Sequence, residues 1–169
     1  KVKGWGFDLD ELLKVATAMR PGEFMPTPPN LPPGFEGPPS EQVSVKEAQR
    51  RVDFVIYLPT YLPPGAGAPD VLLSPGGPAP RGGHFIPNVN INYGGTGEWL
   101  HIYESYGWPG ETLGEQAEVI KWDGVTGEYS EEMGSLEFTL GRTRIDLDGL
   151  SKEELVRIAK SMKPAAPHI

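Results

Sequence analysis

Apolar positions recur at helical spacing in three segments. In GFDLDELLKVATAMRP, residues 6–21, Leu9, Leu12, Leu13, Ala16 and Met19 line one face. In SVKEAQRRVDF, residues 44–54, Val45, Ala48, Val52 and Phe54 do so. GLSKEELVRIAKSMKP, residues 149–164, is the third. Each opens on a capping box, with Asp8 before Glu11, Ser44 before Glu47 and Ser151 before Glu154. The first and third bring Arg20 and Lys163 to the last turn, where the helix dipole favours a cation. Both stop ahead of a proline, Pro21 or Pro164.

Between the second and third segments the period changes to two. Val89, Ile91 and Tyr93 alternate with Asn88, Asn90 and Asn92. Leu100 and Ile102, with Glu104 in phase, alternate with Trp99, His101 and Tyr103. Leu136, Phe138 and Leu140 alternate with Glu137 and Thr139. EQAEVIKW and RTRIDLDG complete the strand patterns, and Gly94-Gly95, Asp123-Gly124 and Gly141 mark turns. VIYLPTYLPPG reads as extended, but its prolines lack the donors a central strand needs. The pattern predicts an α+β fold: a curved antiparallel meander packed on a C-terminal helix, with short N-terminal helices.

The first and third helical segments align without gaps. Gly6/Gly149, Glu11/Glu154, Leu12/Leu155, Ala16/Ala159, Met19/Met162 and Pro21/Pro164 are identical. Most other pairs exchange like for like, which points to a duplicated unit. Residues 1–21 then read as the closing helix of a preceding copy, residues 44–164 as one complete α+β domain, and 165–169 as a tail. Eight prolines between Pro21 and Pro39 hold φ near the polyproline II value, so residues 22–43 read as a semi-rigid linker.

Composition narrows the function. The 169 residues carry 15 Lys+Arg against 23 Asp+Glu, a net charge of −8. Such a chain lacks the basic face that nucleic acid requires. With no Cys there is no disulfide framework and no thiolate nucleophile. No apolar run reaches the roughly 18 residues that span a bilayer, so membrane contact is expected only through an anchor outside the given sequence. The start at Lys1, without a basic region leading into an apolar one, reads as an excised or processed piece. Sparse Asn and Gln beside proline-rich loops suggest a thermophilic source.

Few residues promise chemistry. Glu128, Glu131 and Glu132 cluster, and Asp146 and Asp148 alternate on one strand. Hydrolysis would need two such carboxyls converging on a cleft. DLDGLSKEEL fails as a calcium loop, since Arg144 and Leu155 would fall where oxygen donors are required. His84, His101 and His168 show no metal-ligand spacing, and no nucleophile elbow or phosphate loop occurs. The sequence therefore calls for no catalytic residue, metal or cofactor. Aromatic residues crowd the middle of the complete copy instead. Tyr57, Tyr61, Trp99, Tyr103 and Trp108 are the candidate apolar binding or docking surface, and Leu9, Leu12, Leu13, Ala16 and Met19 the docking face of the first helix.

VSVKEAQRRVDFVIYLPTYLPPG and IDLDGLSKEELVRIAKSMKP together resemble the opening and ending of the bacterial family labelled domain of unknown function 4367. The resemblance brackets nearly all of residues 44–164 and leaves the middle unspecified. It implies an extracytoplasmic domain of a membrane-associated protein, related to anti-sigma factors or lipoprotein carriers, without enzymatic activity. The expectation is a non-enzymatic binding or assembly module whose partner is a protein or a neighbouring copy. A carrier of a lipid or lipoprotein between sheet and helix is the alternative, and a carboxylate-dependent hydrolase the third reading.

Overall fold

The computed structural model describes residues 39–78, 84–95, 99–107 and 117–165, which belong to a unit spanning residues 34–169. The first helix with Leu9, Leu12, Leu13, Ala16 and Met19, most of the linker, Trp108 and His168 lie outside the described residues. In chain order the elements begin with β1 (Glu41–Gln42), α1 (Val45–Arg51), β2 (Tyr57–Pro59), β3 (Ala66–Ser74), β4 (Gly77–Pro78) and β5 (His84–Phe85). Then come β6 (Asn88–Gly95), β7 (Leu100–Tyr106), β8 (Glu118–Trp122), β9 (Val125–Ser130), β10 (Ser135–Leu140) and β11 (Thr143–Asp148). The helix α2 (Lys152–Ser161) and β12 (Met162–Pro164) close the chain.

Eight strands form one antiparallel sheet in the order β1-β3-β6-β7-β11-β10-β9-β8. Within it, β3-β6-β7 and β8-β9-β10-β11 are two hairpin runs, joined where β7 pairs with β11. The chain thus leaves the sheet at its middle and returns at an edge. The expected meander holds inside each run, and the fold is α+β with the sheet packed on the C-terminal helix. Glu41 and Gln42 pair with Leu73 and Leu72, so the last linker residues already belong to the sheet, ahead of the Ser44 cap. Asp123 and Gly124, at φ 43 and 80, make the two-residue turn between β8 and β9, whose twist requires positive φ at both positions.

Alternation decides which side chains enter the core. Val89, Ile91, Tyr93, Leu100, Ile102, Leu136, Phe138, Ile145 and Leu147 are all buried. They meet Ala48 of α1 and Leu155, Ile158 and Ala159 of α2, with Phe54 and Ile56 between. Each large side chain sealed this way stabilises the fold by about 1.5–3 kcal/mol. The segment 53–61 is strapped over this core. The Gln49 amide donates to Phe54 O at 2.8 Å and accepts from Ile56 N–H at 2.8 Å. Thr143 Oγ1 donates to Val55 O at 2.6 Å.

The Ser151 hydroxyl accepts from Glu154 N–H at 3.4 Å, opening α2 as the capping box predicts. The helix ends before Met162, whose φ −62 and ψ 133 are extended. Met162 and Pro164 then pair with Pro59 and Tyr57, so the closing Met and Pro of the helical motif serve as a strand. Ser151→Ala is expected to cost about 1 kcal/mol in urea denaturation, against a few tenths for Ser151→Gly. Equal losses would mean that the cap bond contributes nothing.

Candidate functional site

The sheet has one sealed face and one polar face. On the polar face, strand register sets Asn92, His101, Asp148 and Ser135 in one row. The adjacent row runs Asn90, Tyr103, Asp146, Glu137 and Glu128. A chain of hydrogen bonds ties the first row to the second. Asn90 Nδ2 donates to Asn88 Oδ1 at 3.0 Å, and Asn90 Oδ1 lies 3.1 Å from His101 Nε2. His101 Nδ1 lies 3.0 Å from Asp148 Oδ2. Both ring nitrogens therefore face oxygen acceptors, which fixes the imidazole plane.

Like charges stand directly opposite one another in the second row, a destabilising arrangement. Arg144 relieves it in part by donating to Glu137 Oε2 at 2.7 Å. Burial, and then the charges of Glu137 and Asp148, push the Asp146 carboxyl up to about 6. Asp146 Oδ1 and Ser135 Oγ are buried without a hydrogen-bond partner. Glu131 and Glu132 sit exposed in the turn after β9. Among the described residues no three His, Asp or Glu side chains gather as a metal site.

At the end of this face lies Trp99, 63% exposed. Its indole covers Gly94: a Cβ added there would lie 3.2 Å from Trp99 Cζ3. Gly94 continues the phase of Asn90 and Asn92, so the ring rests on the polar face.

Glu104 points the other way, into the core, and is fully buried. Its carboxyl oxygens lie 3.1 and 3.2 Å from Tyr57 N–H, which donates to them. Val89 and Ile145 flank it in register. Burial raises this carboxyl well above its ordinary range, and the Tyr57 N–H offsets only part of that. The phenols of Tyr57 and Tyr93 are raised too, by burial and by the nearby Glu104. Alternation alone sets Glu104 in phase with Leu100 and Ile102, and no local pattern marks it as a buried carboxyl.

Of the five aromatic residues expected to form one surface, the four among the described residues do not share one. Tyr57 belongs to the strap on the helix side. Tyr61 is committed to α2, donating to Glu154 Oε2 at 2.9 Å with the Arg157 guanidinium 3.8 Å above its ring. Trp99 and Tyr103 lie on the opposite face, and Trp108 is outside the described residues. The cause is the period of β7: the step that turns Glu104 toward Tyr57 turns Tyr103 away from it.

A groove of about 490 Å³ opens instead beside α1 and the turn after β10. It is lined by the apolar Phe85, Ile86 and Pro87 with Tyr106, and by Arg51, Arg142, His84 and Asp53. Ile86 is 44% exposed. Arg142 donates to Tyr106 Oη from Nη2 at 2.7 Å and from Nε at 3.2 Å. Arg51 holds Glu41 through two bonds of 2.7 and 3.0 Å. These residues come from distant segments, so sequence reasoning missed the site. The one local signal was HFIP, an apolar stretch directly after a glycine-rich loop. No family model, curated protein or solved structure matches this chain.

Proposed function

We propose that the domain is a non-enzymatic binding module, of the extracytoplasmic kind the family resemblance implies, and that it holds an apolar, acidic segment of a protein partner. The observation that carries this reading is the groove between Ile86 and Arg142. A groove of this volume that mixes apolar side chains with a few charged groups is the usual build of a ligand site. Arg51 is paired with Glu41, so the charge that favours an anionic occupant is that of Arg142, whose guanidinium is bonded to the neutral Tyr106 hydroxyl. Asp146, Asp148 and Glu137 share one sheet face instead of opposing each other across a cleft, which supports binding over hydrolysis.

The probe is 8-anilinonaphthalene-1-sulfonate, an apolar anion. Titration should give saturable fluorescence, with Ile86→Asp and Arg142→Ala each weakening the dye about tenfold, or 1.4 kcal/mol. Trp99→Ala should leave it unchanged. Affinity that is indifferent to both groove variants would remove this site from consideration.

A further inference from the structure

We infer that the polar sheet face carries a second site, for an uncharged sugar chain, built on Trp99 and Asn92. The inference is independent of the groove, which lies elsewhere on the domain.

Three observations converge. The first is the indole. Trp122 of the same chain is 9% exposed, whereas Trp99 is 63% exposed. An indole this open presents its apolar face to a ligand. The second is that the ring is held. It lies on Gly94, where a side chain would intrude. Behind it, the turn at Gly149, at φ 93, presses on the Trp99 carbonyl so closely that any side chain there would collide. The platform thus has Gly94 beneath its ring and Gly149 behind its carbonyl.

The third observation concerns the neighbours. Asn92 lies one two-residue step from Gly94 on the same face, roughly 7 Å along the strand. It stands opposite Asp70 and His101. Its carboxamide enters none of the hydrogen bonds of the described residues, while the groups around it are already engaged. Asp70 accepts from Gln42 Nε2 at 2.7 Å, and Asp148 is tied to His101. What the face offers a ligand is therefore a neutral amide with two donors and an acceptor, beside an aromatic plate.

That combination selects sugars. The ring C–H groups of a pyranose carry slight positive charge and settle on the negative face of an indole. Adjacent hydroxyls present donor and acceptor at the spacing a carboxamide bridges. Asp70, Asp146 and Asp148 disfavour anionic sugars. A basic peptide would seek those same carboxylates, two of which are occupied.

The test uses ¹⁵N-labelled protein and four probes: cellohexaose, xylohexaose, mannohexaose and chitohexaose, with hexalysine as the charged comparison. At least one neutral hexasaccharide should shift the Trp99 indole N–H and the Asn92 side-chain amide saturably. Trp99→Ala should abolish the shifts, Trp99→Phe should restore part of the affinity, and Asn92→Ala should weaken it about tenfold. Ile86→Asp should change nothing, which separates this site from the groove. Thermal melts of the variants should match the native protein, because both positions face outward. Silence with all four sugars, shifts that survive Trp99→Ala, or a response to hexalysine alone would each overturn the inference.

Discussion

Replacing Glu104 by Gln is expected to make the domain more stable than the native chain at about pH 8, by an amount of the order of 1–3 kcal/mol, the scale of an ill-satisfied buried polar group. The two proteins should converge below about pH 4. Glu104 is fully buried between Val89 and Ile145, and the Tyr57 N–H is the donor that meets it. Burial raises its folded-state pKa. The folded protein therefore holds this proton where the unfolded chain, with a glutamate near 4.3, has released it. Stability is complete below the unfolded pKa and falls as pH rises through the folded one. A carboxamide keeps the acceptor for Tyr57 N–H and cannot ionise, so its curve lacks that fall.

Urea denaturation across pH measures the effect as a difference between the two proteins. Asp146, raised from 3.8 to about 6, adds its own loss of stability over that interval. It does so in both proteins, on the opposite sheet face, and cancels. Glu104→Leu should run parallel to Glu104→Gln across pH, but lower throughout, because Tyr57 N–H is then buried without an acceptor. A difference between Glu104→Gln and native that stays level from about pH 5 to 9 would show that the carboxyl does not titrate in the core.

The alternation that made Glu104 legible as an inward residue also made most of the sheet legible. Asn88 to Tyr93 and Leu136 to Leu140 carry period two because one face is sealed, and that constraint writes itself into sequence. Val125 to Ser130 carried no such pattern and was missed as β9. Gly127 sits there because the Trp122 ring occupies the space of its side chain, at 2.9 Å from the Cβ position. That contact belongs to the neighbouring strand, which local pattern cannot report. The pairing of β7 with β11 was hidden for the same reason: it joins strands distant in sequence, with no turn between them to mark it. The groove gathers residues 51, 86, 106 and 142, and nothing periodic connects them. Trp99 and Tyr103 fall on one side of β7 by period alone, but their separation from Tyr57 and Tyr61 depends on the direction of the strap.

Ile158→Ala is expected to cost 2–5 kcal/mol, the range for truncating a fully buried aliphatic side chain. Ile158 is completely buried on the sheet-facing side of α2. Around it, Phe54, Ile56, Leu136, Ile145, Leu147 and Leu155 are each no more than 2% exposed. Side chains so fully enclosed have neighbours on all sides, and removing three carbons leaves a void that a close-packed core closes only in part. The magnitude discriminates between functions. A carrier that houses a lipid between sheet and helix must have a space there already, so truncating a wall residue adds little new cavity and costs less than truncation in a solid core. A binding module that works from its outside surfaces needs this interior solid. Measured together, a large loss for Ile158→Ala and small losses for Ile86→Asp and Trp99→Ala would place ligand binding on the exterior, since the groove and the indole could then change without cost to the fold. The reverse order, a tolerant Ile158 and a damaging Ile86, would return the carrier reading to first place.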